Sequence, residues 1–319
     1  MQSTVEIWIG DDRVVKGYVT NISESYTSGP AKLSVSGSGK CIDLIECSVP
    51  IDDSKSYKDM SVQQIAASIC KPYDIEVIDE VGKTERINFN FSPEDKITKV
   101  LEKIIIRSQL LFSEDENGNL RIVRIGSQPC KDSLEYGKNL KSISRTQNTK
   151  NLFSDYVFIG QGANASSTRE SDGHKLKEVA SLKWRKRTTV VTESGDVTRE
   201  FLQARAIAVR DHSAASATTY TAVVQGWRQR DGGLWRINSL VELNCSLLGF
   251  HERLLISKIR FDLNSKGMTT TMDLVDIEAF IDTNCSYLKD ISKSDSKKKE
   301  KQINLASIES QAGGEWTMT

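Results

Sequence analysis

The sequence has no long hydrophobic run and no net charge. No stretch of about 18 consecutive apolar residues occurs in the 319 residues, so we predict no membrane anchor. The N-terminus lacks the charged and then apolar pattern of a signal peptide, so we expect synthesis in a cytoplasm. Lys and Arg together number 43, as do Asp and Glu, so no overall field draws the chain to DNA or to anionic lipid.

Residues that could bind a metal ion or attack a substrate are scarce. The three histidines, His174, His212 and His251, have no metal-ligand spacing to another His or Cys. The six cysteines form no CxxC pair, and apolar neighbours predict buried free thiols. They are Cys41, Cys47, Cys70, Cys130, Cys245 and Cys285. We interpret Glu114-Asp115-Glu116 as solubilising charges at a hairpin tip. The sequence therefore predicts no catalytic residue, no metal site and no cofactor.

Period-two alternation is abundant in the C-terminal half. Apolar and polar residues alternate from Val241 to Cys245, from Lys258 to Asn264 and from Thr269 to Val275, with polar turns between the runs. A fourth extended run begins at Tyr220. This pattern predicts an antiparallel meander with one buried face, which closes as a barrel or covers its edges with a partner. We predict a small barrel.

The N-terminal part predicts a hairpin followed by a mixed α+β segment. Val5 to Ile9 and Val14 to Thr20 flank the turn Gly10-Asp11-Asp12. A short helix and a strand both fit Asp43 to Val49. Further along, Ser61 and Gln64 have capping-box spacing at the start of a helix.

A second helix is predicted to open at Ser92-Pro93-Glu94-Asp95 and to be followed by a hairpin. Beyond it, a strand is predicted at 152–160, a polar loop at 161–173 and a helix at about 198–211. The segment 286–319 is rich in Lys and Ser and has too little apolar content to order by itself, so we predict a flexible tail.

The basic run Lys183, Trp184, Arg185, Lys186 and Arg187 has two interpretations. A tryptophan among cations suits contact with a nucleic-acid backbone and stacking on a base. The alternative is an exposed arm whose charges are only hydrated.

Two blocks of the sequence resemble the tail baseplate hub proteins of Mu-like contractile-tail phages. The first block contains Asp43-Leu44-Ile45-Glu46-Cys47-Ser48 and Ile69-Cys70-Lys71-Pro72-Tyr73. The second contains Gly226-Trp227, Gly233-Leu234-Trp235 and Leu254-Leu255-Ile256-Ser257-Lys258. The blocks follow the same order and a similar spacing as in that family.

The resemblance implies an α+β, mainly β fold: two small antiparallel β-barrels with α+β peripheral domains, as in contractile-tail baseplate hubs. We expect a first barrel at 1–57, an α+β domain at 58–150, a second barrel at 151–285 with a helix-containing insertion at 161–213, and the tail at 286–319. The second barrel would combine the strand at 152–160 with 218–281. Hubs of this kind have strands before the one that matches Glu6 to Ile9, so the first barrel is expected to be N-terminally short.

The resemblance also implies a function and partners. The chain would be a structural hub in the virion tail baseplate, made in the host bacterial cytoplasm. It would form a homotrimeric ring that joins the six-fold tail tube to the three-fold spike, touching other baseplate proteins and enclosing DNA or tape-measure protein. Expected barrel or interface residues are Trp227, Trp235, Leu240, Val241, Ile259 and Phe261. The alternatives are a tail-associated cell-wall hydrolase and the spike-base protein of a contractile secretion system.

Overall fold

The computed structural model describes residues 3–26, 29, 31–49, 56–82, 86–91, 95–108, 110–161, 175–183, 185–196, 199–245, 249–265 and 267–279. The fold is α+β and mainly β. The chain divides into two compact units, Met1–Ser127 and Gln128–Thr319, and each is described by itself. This division falls inside the predicted 58–150 domain.

Unit 1 combines two α-helices longer than two turns with short antiparallel and mixed sheets. Its described strands are β1 (Thr4–Ile9), β2 (Asp12–Ser25), β3 (Lys32–Gly39), β4 (Ser56–Ser61), β5 (Val77–Asp79), β6 (Arg86–Asn90), β7 (Leu110–Glu114) and β8 (Leu120–Arg124). Its helices are α1 (Ile42–Glu46), α2 (Val62–Cys70) and α3 (Ile97–Ser108). Strands β1, β2 and β3 form one sheet, β4 and β6 a second, and β5, β8 and β7 a third.

Helix α2 begins as its sequence pattern predicts, whereas α3 begins at Ile97, because Lys96 before it forms an isolated bridge with Ser48. Ser61 Oγ accepts a hydrogen bond from Gln64 N at 3.2 Å, and Gln64 Oε1 accepts one from Ser61 N at 3.0 Å, so the capping box is present. The segment after Cys41 is helical, which decides between the two predicted conformations. The predicted cap at 92–94 lies outside the described residues. The core of unit 1 gathers the apolar stripes of α2 and α3, and its fully buried side chains include Ile65, Ile69, Ile97, Ile104 and Ile122.

The acidic hairpin tip is more than a solubilising group, and that prediction was wrong. Glu114 Oε1 accepts a hydrogen bond from Cys41 N at 3.0 Å, at the start of α1. Asp115 Oδ1 accepts from Asn117 N at 2.8 Å and Asn119 N at 2.7 Å, which fixes the turn. The two carboxylates therefore hold the β7–β8 turn and join it to the segment after β3.

Unit 2 contains a large sheet and a smaller sheet covered by a helix. Its described strands are β9 (Gln128–Pro129), β10 (Leu134–Glu135), β11 (Leu140–Gln147), β12 (Asp155–Gln161), β13 (Lys175–Ser181), β14 (Thr188–Asp196), β15 (Thr218–Gln225), β16 (Ser239–Cys245), β17 (Phe250–Asn264) and β18 (Gly267–Val275). Its described helix is α4 (Arg199–Ser216).

The large sheet has seven strands in the order β10-β16-β17-β18-β15-β11, with β9 also paired to β16. Strands β16, β17 and β18 form the predicted meander, but β15 pairs with β18 and not with β16. The chain from Gly226 to Asn238 carries the connection to the far side of the sheet. In the described residues this order is an open path, so no closed barrel is formed by hydrogen bonds between these strands.

Strand β12 does not join the large sheet, contrary to prediction. It pairs with β13 in antiparallel and with β14 in parallel orientation, giving the order β13-β12-β14. Tyr156 and Phe158 are each 1% exposed because they pack on Leu202 and Ala206 of α4. The helix that was predicted as part of an insertion supplies the apolar surface that this strand needs.

The five described cysteines are free thiols, as predicted. Cys41, Cys70 and Cys245 are buried, and Cys47 and Cys130 are half-buried. Cys285 lies outside the described residues. Burial raises the pKa of Cys70 to about 12 and that of Cys130 to about 11. Because the thiolate is the nucleophile and metal ligand, burial disfavours the reactive form of these two cysteines at neutral pH.

Tyr220 makes the stability of unit 2 sensitive to alkaline pH. It is 5% exposed and its hydroxyl donates to Glu252 Oε2 at 3.0 Å. Burial, and then the Glu252 carboxylate, raises the pKa of Tyr220 to about 12. An unfolded tyrosine loses its proton near pH 10, so the folded state binds more protons above that pH and stability falls as pH rises.

We expect Tyr220→Phe to remove this alkaline loss. Between pH 10 and pH 12 the wild-type chain should lose about 1.4 kcal/mol more per pH unit than the variant. Urea midpoints of both proteins from pH 8 upward measure the difference. Parallel midpoint curves for the two proteins would contradict the assignment.

Candidate functional site

The connection Gly226–Trp235, here called the Trp loop, is fastened to the β17–β18 hairpin. Trp227 Nε1 donates to the carbonyl oxygen of Asp262 at 3.1 Å. The hydroxyl of Thr270 donates to Gly226 O at 2.7 Å, and Gly226 N donates to Met268 O at 3.0 Å. The loop therefore begins in a fixed position against the hairpin end.

A second set of bonds holds the tip of the Trp loop to the segment after β9. Gln229 Oε1 accepts a hydrogen bond from Lys131 N at 2.9 Å. Asp132 Oδ2 accepts one from Arg230 N at 2.7 Å. Backbone donors on both sides are thus satisfied by side chains of the other segment, and an isolated antiparallel bridge between Arg228 and Leu234 closes the loop.

Four of the six predicted barrel or interface residues come together in one cluster. Trp235 is 4% and Val241 1% exposed, and Ile259 and Phe261 pack against the same core. Leu240 and Trp227 are half-buried. Most of the predicted barrel or interface residues therefore lie in the core of the large sheet.

The apolar side chains that reach the surface here are Leu263 and Met268, which the sequence analysis did not single out as surface residues. They are a directly paired couple near the end of the β17–β18 hairpin, 71% and 46% exposed. Leu263 continues the alternating series of Ile259 and Phe261 beyond the core. This continuation is the sequence signal that could have predicted an exposed apolar residue here.

Trp235 should carry more of the stability than Trp227. We expect Trp235→Ala to lower the free energy of unfolding by about 3–5 kcal/mol because a large buried ring is removed. Trp227→Ala should cost less, since that ring is half-buried. Trp235 Nε1 has no hydrogen-bond partner in the described part of the chain, so Trp235→Phe is the matched control and should retain most of the stability. Equal denaturation midpoints for both alanine variants would contradict this ranking.

The basic run forms the turn between β13 and β14. Lys183, Arg185 and Lys186 are exposed, and Trp184 lies outside the described residues. Three exposed cations close together in sequence remain available for an anionic partner. Their exposure fits both interpretations of the basic run, so contact with nucleic acid stays a prediction.

Arg187 differs from the other cations in the run because its guanidinium is bonded inside unit 2. Its Nη1 donates to Thr149 O at 3.2 Å and Leu152 O at 3.1 Å, and its Nη2 donates to Lys150 O at 3.0 Å. The guanidinium carbon lies 4.7 Å from the centroid of the Phe153 ring. Arg187 therefore fastens the chain before β12 and is not free to contact a phosphate.

We expect Arg187→Ala to destabilise the protein and Arg185→Ala to leave it nearly unchanged. Loss of charged hydrogen bonds to backbone carbonyls costs about 1.5–3 kcal/mol, whereas an exposed substitution stays within about 0.5 kcal/mol. Chemical denaturation of the two variants measures this difference. A lower stability for Arg185→Ala than for Arg187→Ala would reverse the roles.

The sheet β1–β2–β3 presents an uncovered apolar face. Pairing places Ile22 opposite Val35, and Leu33 follows on the same face, while Ser23 and Ser34 form a pair on the other face. Ile22, Leu33 and Val35 are 56%, 67% and 55% exposed. In the described residues, no core cluster contains a residue of these three strands. An apolar face of this kind marks an interaction surface.

No group of three metal-binding side chains comes together among the described residues. His212 Nε2 lies 3.5 Å from Ser216 Oγ, and His251 Nδ1 contacts Asn244 Oδ1. His174 lies outside the described residues. No helix in the described ranges has the length and hydropathy to cross a membrane.

Two family models match separate parts of the chain. Residues 41–124 match the baseplate hub protein gp44-like second domain. Residues 198–283 match the fourth domain of the Mu phage baseplate assembly protein GpP. The first match contains α1, α2 and the β7–β8 hairpin, and the second contains α4, the Trp loop and the strands β15 to β18.

Similarity to individual proteins extends over most of the chain. Baseplate hub protein gp44 of Escherichia phage Mu is 26% identical over 287 residues, which cover 86% of this chain and 75% of that protein. The 43 kDa tail protein of prophage MuSo2 from Shewanella oneidensis has a TM-score of 0.75 and 27% identity, covering 86% of this chain and 81% of its own. The tail protein from Neisseria meningitidis MC58, at 22% identity, shares the fold with a TM-score of 0.72, covering 87% of this chain and 86% of its own.

The domain matches keep the order of the two resembling sequence blocks, and the similarity spans both units. The chain therefore belongs to the family of baseplate hub proteins of Mu-like phage tails.

Proposed function

We propose that the chain is a non-catalytic structural hub that forms a homotrimeric ring between the six-fold tail tube and the three-fold spike. The observation that carries the proposal is the uncovered apolar face of β1–β2–β3, with Ile22, Leu33 and Val35 each more than half exposed. A sheet of three strands with one apolar face in water is incomplete, and another copy of the chain would cover it.

In this proposal two of the five described sheets form the ring. Each subunit contributes β1–β2–β3 from unit 1 and the seven-stranded sheet from unit 2. Three subunits then present six β-modules around a three-fold axis, which matches six-fold and three-fold partners at once. Each of these two sheets would be completed as a small barrel in the ring, the first from residues 1–57 and the second from the seven-stranded sheet, which includes β11 and so starts before the predicted boundary at 151. The second would be built on β15 to β18 and β11, without β12.

A permanent adaptor needs large contacts, on the order of 2,000 Å² or more per interface. The exposed couple Leu263 and Met268 supplies a second apolar surface, on unit 2.

We propose the spike, the tail tube and other baseplate proteins as partners, and the baseplate of the virion tail, assembled in the host cytoplasm, as the location. DNA or tape-measure protein would pass through the ring.

The mass of the purified chain in solution tests the proposal. Three copies of the 35.6 kDa chain give a particle of about 107 kDa by light scattering. Replacing the cross-strand pair Ile22 and Val35 by Glu should convert the trimer to monomer, because charge cannot be buried on that face.

The matched control replaces Ser23 and Ser34 by Glu. This pair has the same cross-strand geometry on the opposite face and should leave the trimer intact. A wild-type monomer, or a monomer that clears peptidoglycan, would overturn the proposal and favour the hydrolase alternative. Dissociation by both double variants would show that the apolar face is not the contact.

A further inference from the structure

The small sheet of unit 2 has a second face that none of the proposed contacts uses. Register places Val157 directly between Val179 of β13 and Val190 of β14, so three valines form a row across the sheet. Ile159 follows on the same face, beside Lys177 and Thr192. We call Val157, Val179, Val190 and Ile159 the valine face.

The valine face points away from α4. Residues alternate between the two faces of a strand, and the opposite face carries Tyr156, Phe158 and Ala180, which pack on α4. Val179 and Val190 remain 47% and 58% exposed, whereas Val157 between them is 8% exposed. The middle valine of the row is therefore buried, and the two outer valines are about half exposed.

Positive charge surrounds the valine face. Lys177 is exposed and lies on the same face as Val179, two residues before it, which is about 7 Å along the strand. On the other side, Lys183, Arg185 and Lys186 lie in the turn that follows β13.

The carboxylate nearest this face is already engaged. Asp155 accepts hydrogen bonds from Ser154 Oγ at 2.8 Å and Ser181 Oγ at 3.0 Å. The hydrogen bonds from Ser154 and Ser181 hold the pKa of Asp155 below its ordinary value, so it stays ionised and bound to its own neighbours. Lys177, Lys183, Arg185 and Lys186 outnumber this one carboxylate, so these five residues give the surroundings of the face a net positive charge.

An apolar centre with a charged rim is the anatomy of a protein–protein interface. A surface for a nucleic-acid backbone would place its cations and aromatic rings at the centre, and here the centre is β-branched aliphatic. We propose that the valine face docks another protein of the tail, through an apolar strand or sheet surface that carries Asp and Glu at its edge. The valines provide the buried area, and the cations select and orient the acidic partner.

Site-specific crosslinking in assembled tails tests this proposal. Val190 is replaced by the photo-crosslinking amino acid benzoylphenylalanine, tails are assembled in the host, and the irradiated particles are analysed by mass spectrometry. We expect one adduct to a different tail protein, within a peptide that contains Asp or Glu. The same amino acid at exposed Ser144 of β11 is the positional control and should give at least tenfold less of this adduct.

Substitutions of exposed cations test the charge argument without disturbing the fold. Lys183→Glu with Arg185→Glu should lower the adduct yield at least fivefold while the solution mass of the chain stays unchanged. An unchanged yield would remove the charge argument. An adduct to a second copy of this chain, an adduct to nucleic acid, or no adduct from position 190 would overturn the proposal. The solution mass, measured on the same samples, reports separately on the proposed trimer.

Discussion

A β-sheet stabilises a chain only when at least one of its faces is removed from water, and the described sheets differ in whether the chain itself covers such a face. The seven-stranded sheet buries Trp235, Val241 and Met272 in its own cluster. The small sheet β13-β12-β14 uses α4. The sheet β1–β2–β3 has no such cover in the described residues, and its apolar side chains stand in solvent. A sheet whose apolar face is covered within the chain needs no partner, whereas the exposed apolar face of β1–β2–β3 is available to another molecule.

Local patterns predicted much of this fold because their causes are local. The capping box at Ser61 and Gln64, the apolar stripe of α3 and the alternation in β16 to β18 depend on neighbours a few residues away. Pairing between distant strands has no such local cause. The pairing of β15 with β18 joins segments about 50 residues apart, and β12 lies in a separate sheet whose apolar side chains pack on α4, which also comes later in the sequence.

The candidate residues also show that the sequence predicts local patterns better than contacts between distant residues. Val241 lies in one alternating run and Ile259 and Phe261 lie in another, and the structure gathers them with Trp235 in one core. Arg187 could not be separated from Arg185 by composition, because the carbonyls that bind it belong to residues 149–152, more than 30 positions earlier. The uncovered face of β1–β2–β3 was also missed, since alternation shows that a face is apolar but not whether anything covers it.

The start of unit 2 has a mechanical consequence. Directly after the division at Ser127, β9 and β10 lie parallel along β16, and Cys130 N donates to Leu240 O at 2.7 Å and Tyr136 N to Asn244 O at 3.2 Å. A force that pulls along this chain segment loads these bonds together with those of Gln229 and Asp132, instead of opening them one by one. Tension arriving from the neighbouring unit is thus passed to the edge of a seven-stranded sheet within about ten residues of the division.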